Sequence, residues 1–205
     1  MKFKVHSYRD AKTLFENDAK YKVQWKGILN ALKSITEPQI IQTFNAEKVA
    51  GRTNKSISAV LNILIRERLV AAGWHDESAI FKAAGYKAER CWRLDFAKDE
   101  MSVEVGFNHG EAIAWNLLKP VMASELNHVE KAIQTSAGVI ICATNALKKA
   151  GNLDRAVGSY EKFLKYLVPM RNFLTVPMAI IGLEAPTTFK MKAGAKKGEA
   201  EVVML

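Results

Sequence analysis

The chain has 205 residues, and its 30 Lys and Arg against 21 Asp and Glu give a formal net charge of +9 and a pI near 9.5. With 49% hydrophobic residues it can bury a sizeable core, which excludes a disordered polyelectrolyte, and no run reaches the ~18 consecutive apolar residues of a membrane helix. The opening MKFKVHSYRD has no apolar signal region, so a cytoplasmic protein without membrane attachment is expected, and the basic balance suits a polyanionic partner.

Taken in chain order, Val23, Ile28, Leu29, Leu32 and Ile35 recur at helical spacing ahead of Pro38. Ile57, Val60, Leu61, Leu64, Ile65 and Leu69 repeat the pattern more clearly, and Gly73 suits the stop. Between them Phe44 to Lys55 is polar and basic, through Lys48, Arg52 and Lys55, and reads as a loop or frayed helix. His75-Asp76-Glu77-Ser78 reads as a polar loop. Cys91 to Phe96 and Met101 to Phe107 read as two strands joined by the polar turn Ala97-Lys98-Asp99-Glu100. A helix around 111–119, a second around 124–134, a buried strand at 137–143, a helix near 153–168 and a strand at 176–183 follow. Strands alternating with helices give an α/β class, with a central mixed sheet flanked by helices and a helical N-terminal third. The expected organisation is one domain over residues 1–186. Thr187 to Leu205 carries Lys190, Lys192, Lys196 and Lys197 with little periodicity, and is expected to be a basic, flexible C-terminal tail. Cys91 and Cys142 fall in predicted strands without Cys-x-x-Cys spacing and read as buried thiols.

The strand pair carries the most chemistry. Met101, Val103, Val105 and Phe107 share one face, and Ser102, Glu104 and Gly106 share the other. If the turn centres on Asp99 and Glu100, Asp95 falls opposite Glu104. Directly opposed residues have β-carbons about 4.5–5.5 Å apart, so the two carboxylates repel unless something positive lies between them. A divalent cation resolves the conflict, and hard oxygen ligands suit Mg²⁺. A carboxylate merely solvated at a sheet edge is the alternative.

Asp followed nine residues later by Glu-x-(Lys or Gln) is the hairpin core of the PD-(D/E)XK nucleases, and Asp95, Glu104 and Gly106 stand at those positions. The surrounding sequence resembles the type II restriction endonucleases of the BglII and BstYI group over most of residues 1–186. The matching pieces run in the family's order: Val5-His6-Ser7-Tyr8, Trp25 leading Ile28 to Ile35, Arg66-Glu67-Arg68-Leu69, Gly73-Trp74, the hairpin, Ser124-Glu125-Leu126-Asn127-His128, Gly138-Val139-Ile140-Ile141, Ser159-Tyr160-Glu161, Val176-Pro177 and Ile181-Gly182-Leu183. The resemblance implies a Mg²⁺-dependent homodimer that cleaves double-stranded DNA at a short, GATC-centred palindrome, leaving 5′-phosphate ends, with a cognate DNA methyltransferase in the host.

By the same resemblance Asp95 and Glu104 ligate the metal, and Glu77, three residues after Trp74, is a third candidate; a plain polar loop is its alternative. Asn108 and His109 follow the catalytic strand where the family places base-contacting residues. Asn145, Lys148, Lys149, Asn152 and Arg155, between Thr144 and Arg155, fall where it carries a recognition loop, and a charged loop capping the next helix is the other reading. The 44–55 connector could close over DNA. The dimer contact could use the helix with Trp115, Leu118 and Val121, or Ser124 to Gln134. Gly106 departs from the family, which has Lys or Gln there to hold or deprotonate the attacking water. His109, Glu111 or Lys98 could reach the water instead, the substrate phosphate or metal could suffice, or the protein binds DNA without cutting it. A repair or structure-specific nuclease on the same core, or a basic adaptor with a coincidental carboxylate pair, are the further alternatives.

Overall fold

A central sheet of six strands is assembled from β1 (Phe3–Tyr8), β2 (His75–Ala79), β3 (Arg93–Lys98), β4 (Met101–Gly106), β5 (Ala137–Ala143) and β6 (Met178–Leu183), in the spatial order β1-β6-β5-β4-β3-β2. The structure is a computed structural model, and it describes residues 1–196 and 198–205; Lys197 lies outside the described residues. Strands β4, β5 and β6 run parallel, and β1, β3 and β2 join antiparallel, so the sheet is mixed as expected. Every residue of β5 and β6 is buried, because helices cover both faces.

Helices α1 (Ala11–Asn17), α2 (Ala19–Ser34), α3 (Glu37–Val49) and α4 (Ser58–Ala71) cover one face. Their Phe15, Trp25, Ile28, Phe44 and Leu61 share a core with Val103, Val139, Ile141 and Ile181. On the other face, α6 (Ile113–Glu125) and α8 (Tyr160–Leu167) bring Ile113, Leu117, Phe163 and Leu167 against Ile140, Cys142 and Ile180. Short helices α5 (Ala84–Ala88) and α7 (Asn145–Ala150) lie in connections. The period-two division of β5 between these cores fixes its register, since a slip of one residue would exchange the two faces.

Several expectations are corrected. The N-terminal strand β1 and the polar edge strand β2 were not evident from sequence, because edge strands bury little and β2 is the polar stretch His75-Asp76-Glu77-Ser78. Helix α3 runs on to Val49, started by a capping box between Thr36 and Gln39, so only the segment after it is a loop. The helix expected at 124–134 does not form. There Ala132 N–H donates to Ile80 O and Lys82 N–H donates to Glu130 O, an extended pairing that outcompetes the local helical pattern. The helix expected near 153–168 is confined to α8 for a similar reason, since Val157 is bridged to His109. Cys91 is exposed in a 3-10 turn (Arg90–Trp92) rather than buried in a strand; Cys142 is buried as expected.

The expected flexible tail is also corrected over its described residues, where β7 (Phe189–Ala193) pairs antiparallel with β8 (Ala200–Met204). Phe189, Met191 and Ala200 join the core beneath α1–α4, while Lys190 and Lys192 alternate with them. The Glu37 carboxylate clamps its base, accepting from Thr187 N–H at 2.7 Å, Thr187 Oγ1 at 3.0 Å, Thr188 N–H at 2.8 Å and also Thr188 Oγ1.

Candidate active site

Strands β3 and β4 pair Phe96 with Val103, Ala97 with Ser102 and Lys98 with Met101 around a tight turn in which Asp99 has φ 48°. That is the register expected from sequence, and continuing it places Asp95 opposite Glu104. There the carboxylates take over from the main chain. Asp95 N–H donates to Glu104 Oε1 at 3.1 Å, and Val105 N–H donates to Asp95 Oδ2 at 2.7 Å. The ladder therefore parts at the point where the two acidic side chains face each other.

Glu104 is not solvated: α6 covers it, leaving it 1% exposed. Its Oε2 accepts from Lys119 Nζ at 2.7 Å, and that ammonium is itself buried. Burial first, and the facing Asp95 second, push the Glu104 carboxyl up to about 8 despite Lys119. Burial likewise holds Asp95 above the usual carboxylate range, against the Val105 N–H and Lys119. Like charges held in a dry site are costly unless a counter-ion is present, and Lys119 supplies one positive charge to two carboxylates.

Two glycines let α6 and α8 approach the strands this closely. A Cβ at Gly138 of β5 would stand 2.7 Å from Pro120 Cβ, so the glycine admits the proline ring inside α6, next to Lys119. A Cβ at Gly106 would stand 2.8 Å from Phe163 Cζ and 3.4 Å from Asn116 Nδ2. The space a longer residue at 106 would need is filled by α8's Phe163 and α6's Asn116. Asn116 and Lys119 lie one turn apart on α6, both buried.

On the other side of β3, β2 pairs Asp76 with Phe96 and Ser78 with Leu94, so Glu77 falls at the position across from Asp95. Glu77, Asp95 and Glu104 thus form a row across three strands. Glu77 has φ 48°, a strained backbone for a residue with a Cβ, and its half-exposed carboxylate lies 3.8 Å from Arg93. Among the described residues no three His, Cys, Asp or Glu side chains converge to enclose a metal ion. Glu77 and Asp95 line one open cleft with Asn62, Arg66, Asp76, Arg90 and Asn108, and Arg66 Nε donates to Asp76 at 2.7 Å.

The other sequence candidates separate. Asn108 lines the cleft, and His109 beside it is exposed, with its backbone bridged to Val157. Gly158 N–H donates to Asn108 O at 2.9 Å and Gly110 N–H to Ala156 O, so the 108–110 loop and the end of the 145–155 segment form one ridge. The connection expected as a loop begins with α7, capped by Thr144. Asn145, Lys149 and Arg155 are exposed on it. Lys148 instead donates to the carbonyls of Arg155 and Val157, and Asn152, at φ 53°, donates to Lys55 O at 2.8 Å, so both shape the loop. Lys98 points elsewhere, donating to Ala72 O at the end of α4, and Glu111 is exposed. Lys119 escaped sequence reading. Its signal was a lone charge in the apolar run Ile113–Met122, one turn after Asn116.

A family profile described as restriction endonuclease BglII/BglIII matches residues 3–183. The crystal structure of restriction endonuclease BglII complexed with a DNA 16-mer superposes over 100% of both chains, with a TM-score of 0.67 and 16% identity. Free BglII superposes over 100% of this chain and 94% of that one, with a TM-score of 0.51 and 20% identity. At such identities these likenesses speak for the fold. Comparison with curated proteins gives no match.

Proposed function

The chain belongs to the BglII/BglIII restriction endonuclease family, whose members are site-specific deoxyribonucleases, and on that premise we propose that it is a Mg²⁺-dependent homodimer hydrolysing double-stranded DNA at a short palindrome, GATC-centred, to leave 5′-phosphate ends. The observation that carries this reading is the Asp95 and Glu104 carboxylate pair on β3 and β4, with Glu104 buried behind Asp95, and Asp95 and Glu77 lining one open cleft.

The residues present fit a divalent cation. Asp95 Oδ2 is engaged by Val105, but none of the described residues donates to Oδ1. Burial and the facing Asp95 both disfavour an ionised Glu104, and a cation between the two carboxyls would relieve that conflict. Magnesium needs only one or two carboxylates, with water and substrate phosphate oxygens completing its shell, so the absence of an enclosed three-residue cage is no obstacle. Asp95 and Glu104 would hold the ion, with Glu77 reaching it directly or through water. When bound, it supplies Lewis-acid polarisation of the scissile phosphate and offsets charge on the leaving oxygen.

The remaining roles belong to binding. Arg66 and Arg90 at the cleft rim would meet phosphates, giving affinity and salt dependence. Asn108, His109, Asn145, Lys149 and Arg155, on the joined ridge, would face base edges, where Asn pairs with adenine and Arg with guanine. His109 is assigned to reading rather than to proton transfer, because its backbone is bridged to Val157 on the ridge and it does not line the cleft that holds Asp95. A homodimer presents two identical surfaces at opposite polarity, which a palindrome satisfies fully. A host cell carrying such an activity needs a methyltransferase to protect its own sites.

The test is plasmid cleavage by the purified protein in Mg²⁺ and in EDTA, beside Asp95→Asn. Cutting by the wild type in Mg²⁺ alone, lost in the variant, supports the reading. Sequence-specific binding with no cutting in Mg²⁺ or Mn²⁺ would instead establish a DNA-binding protein that has lost cleavage.

A further inference from the structure

We propose that Lys119 of α6, backed by Asn116 one turn earlier, is the catalytic cation of this enzyme and takes the place of the side chain that Gly106 lacks. The inference rests on the nuclease reading above and extends it to a residue outside the hairpin motif.

Three observations carry it. Position 106 has no room for a long side chain without displacing the Phe163 ring, whose Cζ would stand 2.8 Å from a Cβ there, with Asn116 Nδ2 in contact at 3.4 Å. Lys119 Nζ reaches the same carboxylate row from the opposite element, 2.7 Å from Glu104 Oε2, and is held there by burial rather than left to sample solvent. Its placement depends on a matched pair of features, Pro120 within α6 and Gly138 beneath it, which seat the helix against β5. Desolvating a lysine together with a carboxylate is costly, and a well-packed apolar pair of similar volume would often be at least as stable.

In the hydrolysis, water oxygen forms a bond to phosphorus and the bond from phosphorus to the 3′ oxygen breaks. The water's proton goes to solvent, the 3′ oxygen takes one from solvent, and the products are a 5′-phosphate and a 3′-hydroxyl. Lys119 acts by charge and hydrogen bonding rather than as the base. Its ammonium donates to the attacking water and to the negative charge that grows on the phosphoryl oxygens, while Glu104 fixes its direction. Asn116 fills the space beside Gly106 and keeps bulk water from it.

The same contact means that Lys119 opposes a divalent ion at Glu104, which gives a readout independent of cleavage. The experiment compares wild type, Lys119→Met and Lys119→Arg for single-turnover cleavage in Mg²⁺, for Ca²⁺ affinity by calorimetry without DNA, and for folding by circular dichroism. Lys119→Met is expected to cut about 100-fold or more slowly, the loss typical of removing one charge-stabilising donor. It should bind Ca²⁺ about tenfold more tightly, because a neighbouring positive charge is gone. Lys119→Arg should recover part of the rate. If Lys119→Met does not fold, Lys119→Gln, which keeps a donor to Glu104 without the charge, carries the same two readouts.

Cleavage by a folded Lys119→Met at the wild-type rate overturns the inference. So does loss of cleavage together with weakened Ca²⁺ binding, which would mark a purely structural ion pair. A wild type that cuts nothing overturns the nuclease reading itself, whereas a wild type cutting alongside a fully active Lys119→Met overturns only the assignment of Lys119.

Discussion

Glu104 is held by burial and by Asp95 at a pKa of about 8, above its unfolded value, and this fixes the sign of a pH effect. A carboxyl whose folded pKa is raised contributes most below its unfolded pKa, near 4.5, and that contribution is lost as pH rises through the folded value. The metal-free protein should therefore melt at lower temperature as pH is raised from about 5 to about 8, a loss on the order of 2–4 kcal/mol. Saturating Mg²⁺ or Glu104→Gln should flatten the slope; thermal melts in EDTA that are level or rise with pH would contradict the placement of Glu104. Gly106→Ala should cost about 1–3 kcal/mol by overpacking against Phe163, read from urea denaturation. Glu77→Ala should abolish cleavage with Ca²⁺-supported DNA binding intact, and unchanged turnover would remove Glu77 from the site. At this scale the Asp95 and Glu104 pair was legible because a two-residue turn dictates its register. Lys119 was not, because it comes to Glu104 through packing of α6 on the sheet, which no local period encodes.

Among the elements, the strands of the sheet interior were read to within a residue or two, since β5 and β6 are continuous apolar runs that only a doubly covered sheet produces. The edges β1 and β2 were missed for the converse reason: they bury one face or less and look like loops. Segments 130–132 and 156–158 defied their helical pattern because extended pairing with 80–82 and 108–110 satisfied their backbone groups instead. The β7–β8 hairpin hid behind its Lys residues, although Phe189 and Met191 alternate with them as a half-buried strand requires. Its anchoring predicts that Glu37→Ala, which leaves Thr187 and Thr188 without their shared acceptor, destabilises the protein by about 1–3 kcal/mol. A change below about 0.5 kcal/mol in a denaturant titration would show that the clamp contributes little, as is common for exposed polar contacts.

For the whole molecule, the sheet sets three acidic residues side by side on neighbouring strands, α6 delivers a buried cation to them, and the loops at 108–110 and 145–158 join into one ridge beside the cleft. The chain as a whole carries a formal charge of +9, which attracts a polyanion, while the acidic residues keep an internal place for a metal. DNA affinity should accordingly fall linearly on a logarithmic salt scale, with a slope set by the number of phosphates met. The central claim is that this centre cuts DNA at a fixed sequence. The most direct measurement is to incubate the protein with unmethylated phage DNA in Mg²⁺ and in EDTA and to sequence every fragment end. The account predicts discrete Mg²⁺-dependent fragments that begin with 5′-phosphates and share one palindrome; ends without a common sequence, or intact DNA in Mg²⁺, would contradict it.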